Sequence, residues 1–282
     1  MGRILTLLAA QVAPVPFDPA ATLSKFEDEV ATAVREFPGV EVLVFPELYL
    51  TGEDPFAPGA PEGYAERVAE SVPGPTSDRV GKVAARVGRW IVAGSILERA
   101  GEAVHNTALV FSPDGSLTAR HRKLFPWRPW ERVAPGNGAT VFDVPAAGRL
   151  GLMTCYEGWF PEAARGLALA GVELILQPSM TATSDRGQEI VMARAAAIAN
   201  QCHVVSVNAV TTIGGGRSVG VDPEGRVLFE GGPGEEFHIE VLDMARPDVV
   251  REHGTLGLNR VLRHLHEAPR SVFEPYRRFL ED

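Results

Sequence analysis

Cys155, in the run GLMTCYEGWFPE, is the residue of this sequence best placed for covalent chemistry. An apolar, strand-like stretch ends at this thiol, and an acid, a glycine, aromatic residues and a proline follow it. A thiol where a strand turns toward a helix can act as a nucleophile, because the next backbone N–H groups can bind a developing oxyanion. Free cysteines are also among the most buried residue types, so a structural Cys155 is the alternative.

Two charged residues stand at similar points in other apolar runs. EVLVFPELYLTG places Glu47 at the C-terminal end of a strand, and LTARHRKLFPWRPWERVAPG places Lys123 within an apolar and aromatic stretch. Alone, Glu47 would be typical of a surface carboxylate or a helix cap, and Lys123 of a charge on an edge strand. A carboxylate, an ammonium and a thiol at the ends of three separate apolar runs are together the components of an acyl-transfer site.

The order of these motifs, FPEL, then HRKLF, then CYEGWFPE, resembles the nitrilase, or carbon–nitrogen hydrolase, superfamily. The resemblance extends to the runs AAQVAP, HNTALVFSPDGSL, GVELILQPS, ARAAAIANQCHVVSVNA and GRSVGVDPEGRVL. It implies an α/β fold of the four-layer αββα sandwich type and an enzyme that hydrolyses a non-peptide carbon–nitrogen bond. Because members cleave amides, ureido groups and nitriles with one Glu-Lys-Cys triad, the motifs alone do not identify the substrate.

The resemblance also implies a role for each motif residue. Cys155 would attack the substrate carbon and form a thioester, which divides a difficult hydrolysis into two easier steps. Glu47 would be the general base, with its pKa raised by burial so that it can act near neutral pH. Lys123 and the backbone N–H of Tyr156 would stabilise the oxyanion, and the lysine charge would also favour the Cys155 thiolate.

Three further residues near the motifs are candidates. Glu131, in WERVAPG, falls where the superfamily usually carries an additional glutamate that orients the lysine and the substrate; a surface loop acid is the alternative. Trp159 follows the nucleophile closely, so we expect it to line the substrate pocket. Glu157, beside the thiol, is expected to support the loop rather than the chemistry.

The residues after Cys155 bear on the choice of substrate. Carbamoyl-amino-acid hydrolases tend to have an arginine there for the substrate carboxylate, but this chain has Tyr156 to Trp159, although Arg128, Arg165 or Arg186 could supply the cation. The helical run DRGQEIVMARAAAIANQ is more similar to the amidase side of the superfamily. We therefore predict hydrolysis of a linear amide, neutral or cationic, to a carboxylic acid and ammonia, with an N-carbamoyl amino acid or amine hydrolase and a nitrilase as alternatives.

Two rivals belong to other classes of protein. A non-catalytic scaffold of this fold would have lost part of the triad, yet Glu47, Lys123 and Cys155 are all present. The N-acyltransferases of the superfamily carry membrane helices, and no apolar run here reaches the roughly 18 to 20 residues that span a bilayer. Hydrolysis is the preferred interpretation.

Composition limits the partners. The chain of 282 residues has a net charge of −9, which argues against binding to nucleic acid phosphates. Two cysteines are too few for a disulfide framework and indicate a reducing, cytoplasmic setting. His203, His264 and His266 lack partners at metal-ligand spacing. We expect a small-molecule amide as partner, no membrane or nucleic acid, no metal and no cofactor.

Strands and helices alternate along the chain, which is typical of layered α/β packing. Pro113-Asp114-Gly115 and Asp222-Pro223-Glu224-Gly225 predict the turns of two hairpins. The sequence predicts strands over residues 4–13, 41–46, 90–98, 149–155, 172–179 and 203–210, and helices over 22–37, 77–88, 161–171 and 186–201. In the first helix the buried stripe would be Val30, Ala33, Val34 and Phe37, and Ser77 or Asp78 would cap the second.

No Pro/Gly/Ser linker or charge block divides the chain, so we predict a single domain over residues 1–282 with a C-terminal tail from about 252 to 282. By resemblance, two αββα sandwiches would pair through EAARGLALAG and the helix before HVVSVNA. We therefore expect a homodimer or a multiple of it.

Overall fold

The structure, a computed structural model, describes residues 2–54, 57–59, 61–145, 147–212 and 214–281. The first and last residues of the predicted domain, Met1 and Asp282, lie outside this part of the chain. The strands are β1 (Ile4–Gln11), β2 (Val42–Val44), β3 (Trp90–Ala100), β4 (Ala103–Phe111), β5 (Leu117–Arg122), β6 (Thr140–Val144), β7 (Gly148–Leu152), β8 (Leu174–Ser179), β9 (His203–Asn208), β10 (Val210–Thr211), β11 (Gly214–Gly215), β12 (Val219–Val221), β13 (Val227–Glu230) and β14 (Glu236–Asp243).

The α-helices are α1 (Pro19–Glu36), α2 (Tyr64–Val68), α3 (Pro75–Val87), α4 (Pro161–Leu169), α5 (Arg186–Asn200), α6 (Arg246–His253), α7 (Val261–Glu267) and α8 (Glu274–Glu281). Short 3₁₀ helices span Tyr49–Thr51, Cys155–Trp159 and Arg270–Phe273. Among the helices of the described residues, none combines the length and the apolar character needed to cross a bilayer.

Two six-stranded sheets organise the molecule, in the orders β14-β1-β2-β3-β4-β5 and β13-β12-β9-β8-β7-β6. Each has three parallel strands at its centre, β1 to β3 in the first sheet and β7 to β9 in the second. Antiparallel strands flank both centres, and the two predicted hairpins are present as β4–β5 and β12–β13.

The sheets pack face to face, and helices cover their outer faces. Parallel strands must be covered on both sides, which explains their continuous apolar runs. Between the sheets the buried side chains include Leu7, Val44, Val110, Leu150, Leu176 and Val205. Helices α1 and α3 cover the first sheet with Phe26, Val30, Val80 and Val83, and α4 and α5 cover the second with Ala164, Leu167, Ala193 and Ala197. The predicted αββα sandwich is confirmed.

The predicted boundaries of α1 are wrong at both ends. The helix begins at Pro19, and the Asp18 side chain accepts a hydrogen bond from the Ala21 N–H at 2.9 Å. An aspartate cap followed by proline is a strong start signal, because proline has no N–H to leave unpaired. At the other end Phe37, predicted to lie on the buried stripe, follows the last helical residue and is 37% exposed.

The predicted cap of α3 is also wrong. The helix begins at Pro75, and Gly74 is the capping residue. Ser77 lies in the first turn, where its hydroxyl accepts a hydrogen bond from the Gly74 N–H at 2.8 Å. The serine therefore supports the start of the helix from within it.

The C-terminal part contains elements that were not among those predicted from the sequence. Strand β14 pairs with β1 along its whole length, in antiparallel register from Ile4 opposite Asp243 to Gln11 opposite Glu236. Beyond it α6 continues to His253, and α7 contacts α5 and α6 of the same chain. The division into one domain and a tail from about residue 252 stays a prediction.

Candidate active site

The candidate residues follow strands whose carboxyl ends lie at one edge of the sandwich. In the first sheet, Glu47 follows β2, and Lys123 follows β5, which runs in the direction of β3 because both are antiparallel to β4. In the second sheet, Cys155 follows β7. Ligand sites of parallel α/β sheets form at this end of the strands.

Local backbone contacts hold Glu47 in position. The Leu48 N–H donates to Ser95 Oγ at 3.0 Å, and Leu48 itself has a left-handed backbone with a φ of 52°. Gly94 has a φ of 68°, and a Cβ there would lie 1.7 Å from the Pro46 carbonyl oxygen. Only glycine allows this approach, which occurs at the register shift between β3 and β4.

Lys123 and three neighbouring side chains form one hydrogen-bonded cluster. Lys123 Nζ lies 2.8 Å from Glu47 Oε1 and 2.7 Å from Glu131 Oε2. Asn106 Nδ2 donates to the same two residues, at 2.8 Å to Glu47 Oε1 and 2.7 Å to Glu131 Oε1. Lys123 is 2% exposed and Glu47 3%, so the structure encloses two carboxylates with a single ammonium.

This imbalance of charge shifts the three pKa values in different directions. Burial raises the pKa of Glu47, and the charge of Glu131 raises it further, while Lys123 opposes both. Burial also favours a raised pKa for Glu131, but Lys123 and the hydrogen bonds from Asn106 and the Trp127 N–H outweigh it and lower that pKa. For Lys123, burial favours a lower pKa, but its anionic neighbours raise it. Glu131 and Lys123 are therefore held as an ion pair, and Glu47 is the more basic carboxylate.

Cys155 begins the 3₁₀ helix with a strained backbone. Its φ is 46°, in the left-handed region that only about a few per cent of non-glycine residues adopt. Gln177 Nε2 donates to the Cys155 carbonyl at 2.8 Å, and a Cβ on Gly158 would lie 2.4 Å from that nitrogen. Glycine at 158 thus leaves room for the Gln177 side chain, which holds the strained turn at Cys155.

The thiol of Cys155 is 9% exposed and lies 3.6 Å from Thr181 Oγ1. Burial raises its pKa well above the ordinary value, and the nearby Glu47 raises it further. Lys123 favours the thiolate, as expected from the sequence, but does not outweigh burial. With its pKa raised well above the ordinary value, the group is a neutral thiol at neutral pH.

Glu157 is a structural support, in agreement with its interpretation from the sequence. It is fully buried, and its carboxylate accepts hydrogen bonds from the Thr154 and Leu124 N–H groups. His121 Nε2 lies 2.9 Å from its Oε2. The glutamate therefore connects the turn at Cys155 to the segment that follows Lys123.

Tyr156 and Trp159 lie on the 3₁₀ helix that begins at Cys155, and both line a cavity that Cys155 also lines. The cavity has a volume of about 340 Å³, including its open mouth. The Tyr156 N–H belongs to the first turn of that helix, where N–H groups have no partner within the helix.

Several site residues were missed in the sequence. Asn106 lies within the apolar strand β4, and Thr181 and Glu189 line the cavity from the second sheet's side. Thr181 Oγ1 donates to Glu189 Oε1 at 2.9 Å, and Trp159 Nε1 is 3.5 Å from the same oxygen. The only available signal was a polar residue inside, or directly after, an apolar run.

The donor groups of the site do not form a metal centre within the part of the chain that the structure describes. No group of three or more His, Cys, Asp and Glu side chains there is arranged to hold an ion. The described arrangement offers a thiol, a basic carboxylate and a fixed ammonium beside a small cavity.

Solved structures share this αββα architecture. Saccharomyces cerevisiae Nit3, a member of branch 10 of the nitrilase superfamily, matches with a TM-score of 0.79 and 25% identity over 91% of this chain and 96% of its own. The amidase from Nesterenkonia sp. AN1, in a form with an acetamide moiety on its active-site cysteine, matches with a TM-score of 0.76 and 23% identity over 96% of both chains.

The sequence comparisons point to the same group of proteins. Residues 7–251 match the carbon–nitrogen hydrolase family model, so the chain belongs to the carbon–nitrogen hydrolase family. Human omega-amidase NIT2 is 26% identical over 266 residues, which are 88% of this chain and 91% of that protein. The Xenopus tropicalis omega-amidase NIT2 is 26% identical over 92% of this chain and 95% of its own. The prediction of a carbon–nitrogen hydrolase of amidase type is confirmed.

Proposed function

We propose that the protein hydrolyses a linear amide to a carboxylic acid and ammonia through a thioester at Cys155. The observation that carries this proposal is the meeting of Glu47, Lys123 and Cys155 in one buried cluster beside a cavity. The similarity to omega-amidases over most of the chain supports an amide as substrate.

The first half of the reaction would form the thioester. Glu47, with its raised pKa, takes the proton of the neutral Cys155 thiol as sulfur attacks the amide carbon. The carbonyl oxygen becomes an oxyanion, which Lys123 and the Tyr156 N–H stabilise. The carbon–nitrogen bond then breaks as Glu47 gives its proton to the nitrogen, and ammonia leaves.

The second half would clear the enzyme with water. Glu47, again ionised, takes a proton from a water molecule whose oxygen attacks the thioester carbon. The same oxyanion donors act, the carbon–sulfur bond breaks, and Glu47 returns the proton to the Cys155 sulfur. One carboxylate therefore serves as base and acid in both halves.

Glu131 is proposed as a positioning residue rather than a second base. Its lowered pKa keeps it ionised, and its Oε2 binds Lys123 Nζ at 2.7 Å. The lysine would thus remain charged and aimed at the oxyanion while Glu47 changes its protonation state.

The distribution of arginines supports an amide over an N-carbamoyl amino acid. Arg128 donates to the Glu131 and Val133 carbonyls, and Arg165 lies in a groove beside the C-terminal residues. Arg186 is buried against Glu189. Among the described residues that line the cavity at Cys155, there is no lysine or arginine to bind a substrate carboxylate.

Assembly as a homodimer, or a multiple of it, is part of the same proposal. Helices α4 and α5 carry exposed apolar side chains, with Leu169 68%, Val191 62% and Ile198 48% exposed. These helices include the segments that the superfamily resemblance implies for pairing. Light scattering at micromolar concentration tests this assembly, and a monomer would contradict it.

A cytoplasmic location stays a prediction.

The test is ammonia release from simple amides, N-carbamoyl amino acids and nitriles, with Cys155→Ala and Cys202→Ala run in parallel. Cys202, the other free thiol, is buried against α5 and provides the matched control. We expect release from amides, turnover lowered by about 10⁴-fold or more in Cys155→Ala, and activity retained in Cys202→Ala.

Faster release of ammonia from carbamoyl compounds or nitriles would show that amides are not the preferred substrates, but it would not contradict the proposed mechanism. Wild-type turnover in Cys155→Ala would refute covalent catalysis at this residue. Mass spectrometry of the wild-type enzyme quenched during turnover should find the acyl group on the peptide that contains Cys155.

A further inference from the structure

The cavity at Cys155 is acidic on the side of helix α5. Two of its lining residues, Asp185 and Glu189, carry carboxylates, and they stand at the start and in the first turns of that helix. Within the described part of the wall, no lysine or arginine is present. The balance of charge in the cavity therefore depends on whether each carboxylate is already paired.

Glu189 is paired inside the protein. Its Oε2 accepts a hydrogen bond from Arg186 Nη1 at 3.0 Å, and both side chains are almost fully buried. Arg186 also donates to Ser206 Oγ at 3.2 Å and to the Arg217 carbonyl at 3.0 Å. The arginine thus balances Glu189, and its remaining N–H groups are directed to protein acceptors.

Asp185 differs from Glu189 in having no such partner. It occupies the capping position of α5, yet its side chain accepts no capping hydrogen bond, because its backbone is already helical, with φ −66° and ψ −17°. Among the described residues, no cation forms an ion pair with it. Asp185 is half-buried and lines the cavity, so its carboxylate contributes a negative charge there that no described cation balances.

A helix start can also attract anions, so the free N–H groups of α5 need to be considered. The Arg186 N–H donates to the Thr183 carbonyl, and the Gln188 and Glu189 N–H groups donate to the Asp185 carbonyl at 2.7 and 3.0 Å. These donors are occupied. The partial positive charge of a helix start, about half a unit, is also smaller than the full negative charge of Asp185.

Aromatic rings form another part of the same wall. Tyr156 and Trp159 have ring centroids 6.4 Å apart, and Trp127 lies at the partly exposed mouth. Tryptophan and tyrosine faces attract ammonium groups, most strongly where water is excluded. A carboxylate and aromatic faces together are a binding site for a cationic group.

We propose that the preferred substrate is a short amide whose acyl chain ends in an ammonium group, held by Asp185 and the neighbouring aromatic rings while the amide carbon lies at Cys155. This inference rests on the proposed function, and it adds the charge of the acyl group. The enclosed part of the cavity is only about 30 Å³, which favours a short, unbranched chain.

Three amides of matched length test the proposal: 4-aminobutanamide, pentanamide and the monoamide of glutaric acid. They end in an ammonium, a methyl and a carboxylate group, respectively, after the same three methylenes. We expect kcat/KM to be at least tenfold higher for 4-aminobutanamide than for pentanamide, and lowest for the glutaric monoamide. Asp185→Asn should reduce the ratio between the first two substrates by about tenfold.

Asp28→Asn is the matched control, since it removes the same charge from an exposed position on α1 and should leave that ratio as in the wild type. A ratio is used because partial unfolding lowers both rates equally. Equal loss for both substrates in Asp185→Asn, or a preference for pentanamide or the glutaric monoamide, would overturn the inference and leave the hydrolase proposal standing. Failure of all three amides, together with the wider panel of amides, would overturn both.

Discussion

Glu47 and Glu98 are both buried in the first sheet and both bind cations, yet their pKa values shift in opposite directions. They are 3% and 2% exposed, respectively. Burial raises the pKa of Glu47, and the opposing charge of Lys123 does not cancel this effect. Burial also favours a raised pKa for Glu98, but hydrogen bonds from Arg122 and Thr107 and the charges of both neighbouring arginines lower it.

The difference lies in the number of cations for each carboxylate. Glu98 Oε1 lies 2.7 Å from Arg122 Nη2 and 3.1 Å from Arg120 Nη1, so two guanidinium groups serve one anion. Glu47 shares the one ammonium of Lys123 with Glu131. An excess of cations produces a permanently ionised, structural carboxylate, and a shortage produces one basic enough for proton transfer.

The two clusters are built from neighbouring residues of the same strands. Asn106 donates a hydrogen bond to Glu47, and its neighbour Thr107 donates one to Glu98. In the same way, Lys123 binds Glu47, and its neighbour Arg122 binds Glu98. Successive side chains of a strand point to opposite faces, so two adjacent residues can supply two separate clusters. A shift of one residue in this register would exchange the partners of both glutamates.

Glu47→Gln should have the largest effect on turnover. The amide keeps the shape of the side chain but cannot accept the thiol proton, so we expect kcat to fall by about 10³-fold. The folded pKa of Glu47 lies above its unfolded value, so ionising it at neutral pH costs folding free energy, and Gln removes that cost. Stopped-time ammonia assays and urea unfolding measure the two effects.

Glu36→Gln is the control for Glu47→Gln, because Glu36 is exposed and its ion pair with Arg35 lies at the surface. Normal turnover in Glu47→Gln would assign the base to another group. A large loss of stability together with the loss of turnover would make Glu47 a structural residue like Glu98.

Glu98→Gln should reverse this pattern. The lost charge-assisted hydrogen bonds should lower the free energy of unfolding by about 2 kcal/mol at pH 7, a value limited by the partial exposure of Arg120 and Arg122. The folded pKa of Glu98 lies below its ordinary value of 4.5, so its contribution is present above that pH and lost as pH falls through the folded pKa.

Urea unfolding of wild type and Glu98→Gln at pH 7 and below pH 4.5 measures this dependence. The difference between the two proteins should shrink in acid, while kcat of the folded variant stays close to that of the wild type. A difference that is independent of pH would show that the charge of Glu98 contributes no stability.

The proposed triad and the layered fold were predictable because their signals are local. Glu47, Lys123 and Cys155 each end an apolar run, and strands alternating with amphipathic helices indicate α/β layers. The start of α1 had an equally local signal in Asp18-Pro19, which the helical stripe alone does not reveal. Family resemblance supplied the αββα arrangement, since periodicity does not specify how two sheets pack.

The features that were not predicted depend on distant pairing. Asn106 joins the site only because β4 lies between β3 and β5, and β14 is a strand because its partner is β1 at the other end of the chain. Its sequence EFHIEVLD does alternate polar and apolar residues, which is a local strand signal, but the pairing with β1 is not local. The raised pKa of Cys155 depends on enclosure by both sheets, which no single segment encodes.

Glu131→Gln should have the smallest effect and the most specific one. The charge of Glu131 helps to raise the pKa of Glu47, so its removal should move the acid limb of the kcat/KM profile to lower pH, by about one unit or less. Glu131→Asp keeps the charge and shortens the reach to Lys123, so it should lower kcat while leaving the acid limb near that of the wild type.

An acid limb that does not move in Glu131→Gln would mean that the shortage of cations does not set the basicity of Glu47. In that case burial alone would distinguish Glu47 from a surface carboxylate, and the arginines would remain the sole reason that Glu98 behaves differently.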